Sequence, residues 1–161
     1  MPPDVLLRPE LPRDFPSVEA LYRVTFGPGR LTRTAYRLRG DDPHDIDVSF
    51  VAERRGLVIG AIRQSRVRIG GSPAYILGPL AVAETAAKQG IGRALLLRTI
   101  AAARETAAEA IVLVGDPPFY GPSGFEPAAH LVMLPGPVEK HRVLMLPLKR
   151  ALRGMVSGES W

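Results

Sequence analysis

Apolar residues along the chain change their period near Val48. Before that point, Val18, Leu21, Tyr22 and Phe26 recur at three- and four-residue spacings. This predicts a helix within "RDFPSVEALYRVTFGPG" that stops at the glycine-proline break. "VLLRP" (Val5 to Pro9) reads as a short first strand ended by proline, and "RLTRTAYRLRG" as a second short helix ending near Gly40. From Val48 the pattern is that of strands. "VSFVAERRGLVIGAIRQSRVRI" predicts a hairpin turning at Arg55–Gly56, and "GGSP" makes the next turn. "AYILGPLAV" (Ala74 to Val82) is an apolar run interrupted by Gly78–Pro79. Proline cannot donate to a ladder, so the interruption predicts a bulge or a local parting of strands.

A helix from about Ile91 to Ala107 follows, then the continuously apolar "AIVLVG" (Ala110 to Gly115), expected for a strand covered on both faces. A crossover of this length implies two parallel neighbours joined right-handedly. "DPPFYGPSGF" is rich in turn residues, with room for one helical turn. "HLVMLP" and "HRVLMLPL" are expected to form a closing antiparallel pair, and "KRALRGMVSGESW", from about residue 150, a weakly patterned, mobile tail. There is no repeat and no linker. The expected architecture is one domain, residues 1–161, with a mixed sheet and helices on both faces.

Composition narrows the function classes. The chain has 161 residues and no cysteine, which leaves no disulfide framework, thiolate metal site or thiol nucleophile. No run of eighteen apolar residues suggests a membrane span, and the first ten residues lack the layout of a secretory signal, so a cytoplasmic protein is expected. The net charge of +5 points to an anionic partner. Its arginines are scattered and aromatics are few, which favours a phosphorylated small molecule over nucleic acid. His44, His130 and His141 do not form a metal-ligand set, and no Gly-x-Ser-x-Gly supports hydrolase chemistry.

The candidate chemistry begins in "AETAAKQGIGRALLLRTI", where Gly90 and Gly92 open a helix. The first N–H groups of a helix lack intrahelical acceptors, and with the helix dipole they suit a phosphate. Lys88 and Arg93 add charge at the rim. A Walker loop is excluded, because "GIGRAL" has no Gly-Lys-Ser/Thr. A dinucleotide fingerprint needs a small residue where Leu95 stands, although Asp116 after the next strand mimics its acid. A glycine-rich helix start that binds nothing is the remaining structural alternative.

"LGPLAV" followed by "KQGIGRALLL" resembles the acetyl-coenzyme A segment of the GNAT acyltransferase superfamily. That motif is Arg or Gln, two residues, Gly, one residue, then Gly or Ala. Here it runs from Ala87 to Gly92, with Ala87 as a departure at the first position. "PFYGPSGFEP" supplies a second match through Phe119, Tyr120, Gly124 and Phe125. The resemblance is to a bacterial subgroup of predicted N-acetyltransferases. It implies an α+β fold: a mixed, mostly antiparallel central sheet with helices on both faces and a parallel strand-helix-strand at the cofactor site.

The resemblance further implies that the backbone of Lys88, Gln89, Gly90, Ile91, Gly92 and Arg93 holds the pyrophosphate. Leu80, Ala81 and Val82 would pair with the pantetheine arm, and Tyr120 would face the thioester sulfur as the catalytic residue. The implied activity is acetyl transfer from acetyl-CoA to a primary amine by direct attack. A non-catalytic acyl-CoA-binding or regulatory module is the alternative, motivated by Ala87 and by the lack of an obvious base. Glu53, Glu84 and Asp116 are base candidates, with Asp116 also suited to capping "PPFYG". Asp41, Asp42, Asp45 and Asp47 could draw a cationic amine or form a solvated loop. No metal is expected, and the chain is expected to act as a monomer or homodimer.

Overall fold

Alternation of buried residues on the long central strands assigns each helix to a face. The computed structural model describes residues 1–28, 34–39 and 44–161. Strands β1 (Val5–Pro9), β2 (Phe50–Arg54), β3 (Leu57–Ile69) and β4 (Ser72–Val82) form an antiparallel run. β4 then pairs in parallel with β5 (Ala110–Val114), across helix α3 (Ile91–Arg104). β5 continues antiparallel to β8 (Val143–Pro147), which pairs with β6 (Glu126–Pro127). The mixed sheet is therefore mostly antiparallel with one parallel strand-helix-strand unit, as expected.

Helix α3 buries Ile91, Leu95, Leu96, Thr99, Ile100 and Ala103, one stripe at helical spacing. The stripe packs with Ala52, Ile62 and Leu77, which point to the same face of the sheet. Gly60 permits this approach: a Cβ there would meet Leu95 Cδ1 at 3.1 Å and Ile91 Cγ2 at 3.2 Å. Gln64 Nε2 donates to Thr99 Oγ1 at 2.8 Å, a buried bond that ties β3 to α3. Helix α1 (Phe15–Phe26) covers the opposite face, with Val18 and Tyr22 packed on Val51, Ala61 and Ala81. Helix α2 (Thr34–Arg39) lies on that second face, where Ala35 and Leu38 pack against a cluster containing Ala74, Ile76 and Val112.

Two expectations change. "HLVMLP" and "HRVLMLPL" do not pair with each other. The first supplies β7 (Val132–Met133), which runs parallel to β9 (Gly154–Ser157), while the second supplies β8 beside β5. The terminal segment beyond residue 150 carries β9, which also pairs with the end of β3. Trp161 Nε1 donates to the carbonyls of Val67 and Ala74, each at 3.0 Å.

Candidate active site

Gly78 and Pro79 interrupt β4 in its middle, as their sequence suggests. Leu77 pairs with Gln64 and Leu80 with Ile62, so β4 carries one residue more than β3 between the same two rungs. An extra residue inverts the alternation of side chains. Leu77 faces α3 before the bulge, Leu80 and Val82 face it afterwards, and Ala81 turns toward α1. Tyr22 Oη donates to the Pro79 carbonyl at 2.7 Å and holds the bulge from below.

The bulge also ends the parallel pairing. β4 and β5 are joined only at Tyr75–Ile111 and Ile76–Val112, and beyond that both strands continue without pairing to each other. β4 thus presents backbone along Leu77 to Val82 toward the gap, the kind of strand edge that an extended chain can join. At the mouth is a cleft of about 400 Å³. Ala35 from α2, Leu77 and Gly78 from β4, Val114 from β5, and Glu139 and Arg142 from the loop before β8 wall it.

On the α3 face, three elements converge at Gly92. A Cβ there would stand 3.7 Å from both Phe119 Cζ and Val82 Cγ2. Gly90 precedes α3 with φ +83° and Lys88 has φ +60°, so the turn bends through two left-handed residues before the helix starts. Gly90 and Lys88 are exposed, whereas Ile91 is buried in the core and offers the site only its backbone N–H. The Gln89 side chain is held elsewhere: its Oε1 accepts from Arg54 Nη2 at 2.7 Å. Arg93 is exposed on the first turn. The structure therefore brings Val82, Gly92 and the aromatic turn together, and assigns Ala81 and Ile91 side chains to the core.

Tyr120 ends the single helical turn α4 (Pro117–Tyr120). Its ring meets Phe119 edge-on at 4.8 Å and Phe125 at 5.7 Å between centroids. Gly115 makes the space, since a Cβ there would overlap the Tyr120 ring. Asp116 occupies the N-cap position, but its side chain makes no capping bond. Its carbonyl accepts from Phe119 N at 3.0 Å and Tyr120 N at 3.1 Å.

Glu53 and Glu84 do not line the cleft, whereas Asp116 Oδ1 stands 3.6 Å from Arg142 Nη2 on its wall. Glu53 accepts from Arg8 Nε at 2.7 Å on β2, and Glu84 is exposed in the turn after β4. In the acidic loop, Asp45 Oδ2 accepts from Tyr75 Oη at 2.6 Å and Arg66 Nε at 2.9 Å. Burial pushes the Asp45 carboxyl up, yet those two partners hold it below its ordinary value. Asp45 therefore acts as a structural anion, and Asp41 and Asp42 lie outside the described residues. Among the described residues no group of His, Asp and Glu could hold a metal ion, and no helix is long and apolar enough to cross a membrane. Arg142 and Glu139 were not singled out from the sequence. They lie some sixty residues beyond β4, and only the fold brings their loop to the gap.

A strand parted at a bulge, a glycine turn opening the crossover helix and an aromatic turn after the next strand define an acyltransferase-type architecture. The family model described as "Acetyltransferase (GNAT) domain" matches residues 45–127. The chain is 35% identical over 129 residues to the uncharacterized N-acetyltransferase YhbS of Escherichia coli K12, covering 78% of this chain and 76% of that protein. The crystal structure of E. coli YhbS in complex with CoA superposes with a TM-score of 0.80 at 30% identity, covering 96% of this chain and 89% of that one. A GNAT family acetyltransferase from Brucella melitensis, solved with acetyl-CoA, gives 0.72 at 28% identity, with 95% and 94% covered. The chain belongs to the GNAT acetyltransferase family.

Proposed function

We propose that this protein moves an acetyl group from acetyl-CoA to a primary amine by direct attack. The observation that carries the reading is the open β4 edge from Leu77 to Val82, ending beside the α3 turn at Gly90–Gly92. A phosphate-bearing thioester with an extended arm matches both parts: amides and helix dipole for the pyrophosphate, strand edge for the arm. Two relatives solved with CoA or acetyl-CoA support the choice of donor.

In this reading the donor lies along β4 and the acceptor enters from the cleft, so the amine meets the acyl carbon at the gap. Attack by the neutral amine forms the new C–N bond, the adduct's nitrogen gives up a proton to water, and collapse of the tetrahedral adduct breaks the C–S bond to release a thiolate, which takes up a proton from solvent. Tyr120 stabilises that leaving group with a hydrogen bond. Complete proton transfer from an ordinary tyrosine, pKa about 10, to a thiolate of about 8.5 is uphill by about 2 kcal/mol. A hydrogen bond to developing charge needs no such transfer. The backbone from Lys88 to Arg93 binds the pyrophosphate. Calorimetry with acetyl-CoA and CoA tests the reading: binding heat with both and thiol release with an amine are expected, and no heat with either overturns it.

A further inference from the structure

Among the described residues, the cleft contains a cation held only by a long, exposed ion pair. Arg142 lines it, its side chain about one-third exposed (32%). Among the described residues, Nε of Arg142 is buried without a hydrogen-bond partner. Among the described residues, the carboxylate oxygen paired with it is Asp116 Oδ1, 3.6 Å from Nη2, too far for a hydrogen bond and on a side chain that is 76% exposed. Such a pair is weak in water. Glu139, on the same wall, is exposed and lies 3.6 Å from His141 Nε2. The rest of the lining is largely apolar, with Leu77, Val114 and Val138.

A buried guanidinium nitrogen without an acceptor is costly, and a planar carboxylate is the anion whose geometry a single arginine fork matches. The cleft's volume, about 400 Å³, suits a small molecule. The main chain of Arg142 is fixed independently of its side chain: its N–H donates to Glu139 O and its carbonyl accepts from Gly115 N, both at 2.9 Å.

We infer that the acceptor is a small amine bearing a carboxylate, an amino acid in the chemical sense, and that Arg142 holds the carboxylate. The inference rests on the acetyltransferase reading. It differs from the expectation that the acidic loop draws a cationic amine; of that loop's four aspartates, Asp45 is engaged by Arg66 and Tyr75.

The test is thiol release from acetyl-CoA with free amino acids of increasing size, each beside its carboxamide, together with O-phosphoethanolamine and a polyamine. Some acid in the set is expected to exceed its amide in kcat/KM by about tenfold or more. In Arg142→Gln that preference disappears through a higher KM for the acid, and Arg142→Lys restores part of it. Calorimetric CoA binding and the melting temperature of Arg142→Gln stay at wild-type values, which separates recognition from misfolding. Equal rates on acids and amides, a preference retained in Arg142→Gln, or turnover confined to the polyamine or the phosphate ester overturns the inference while leaving acetyl transfer intact. No thiol release with any amine, despite CoA binding, overturns the transferase reading and the inference with it.

Discussion

The Tyr22 hydroxyl donates to the carbonyl of Pro79 across 2.7 Å, joining the buried face of α1 to the bulge that opens the sheet. Tyr22 is fully buried, and the Arg63 guanidinium lies 5.4 Å from its ring centroid. The bond links packing to function, because the Pro79 carbonyl belongs to the stretch of β4 that parts from β5. Tyr22→Phe leaves that carbonyl without its donor, at a cost of about 1–3 kcal/mol. Chemical denaturation is expected to show this loss; unchanged stability would mean that water satisfies Pro79 equally well.

Size at Gly92 should grade donor binding. An alanine Cβ meets Phe119 and Val82 at ordinary contact distance, so Gly92→Ala is expected to fold normally. Gly92→Val adds branches where those two side chains already close the space. Its Kd for acetyl-CoA should rise about tenfold, equivalent to about 1.4 kcal/mol. Equal calorimetric affinities for the three proteins would remove this turn from the donor site.

Tyr120→Phe retains the ring contacts with Phe119 and Phe125 and removes only the hydroxyl. Loss of one hydrogen bond to developing charge typically costs about 10²–10³-fold in rate. A fall of that order in kcat, with Kd for acetyl-CoA nearly unchanged, is expected from steady-state kinetics beside calorimetry. A wild-type rate would exclude the hydroxyl from the chemistry.

Acid should destabilise the protein through Glu10. Its carboxylate is fully buried and accepts from Arg63 Nη2 at 2.7 Å and Nε at 3.0 Å, with His44 Nε2 3.0 Å away. Burial pushes Glu10 up, but His44 and Arg63 outweigh it and hold the carboxyl below its ordinary 4.5. A carboxyl lowered in the folded state stabilises the fold above its unfolded value, and that stability is lost as pH falls through the folded value. Melting temperatures should therefore drop below about pH 4.5, with Asp14 and Asp45 contributing in the same direction. Glu10→Gln leaves Arg63 with Glu19, whose Oε1 lies 2.7 Å from Nη1, as its remaining carboxylate and should cost about 1–3 kcal/mol at neutral pH, with a shallower acid slope. An identical slope would exonerate Glu10.

Local chemistry was enough to read several elements. The spacing of Val18 and Tyr22 identified α1, Gly78–Pro79 marked the bulge, and Gly90 with Gly92 marked the start of α3, because helical period, a missing donor and left-handed backbone are properties of neighbouring residues. Strand partners are not such properties. Val132–Met133 and Val143–Pro147 are both short and apolar, and each could meet several edges; the choice of β9 for one and β5 for the other depends on which edges the remaining chain leaves open. The donor side of the proposed site is continuous in sequence around the α3 turn, so it was legible there. The acceptor side joins Ala35, Gly78, Val114 and Arg142 from four separate segments. Which charges are engaged is decided by packing: Asp45 is hydrogen-bonded by Tyr75 and Arg66, while among the described residues Arg142 Nε has no hydrogen-bond partner. Helix starts, the broken strand and the family resemblance were set by neighbouring residues; strand partners and the charge that lines the cleft were set by the folded arrangement, because both depend on contacts between residues far apart in the chain.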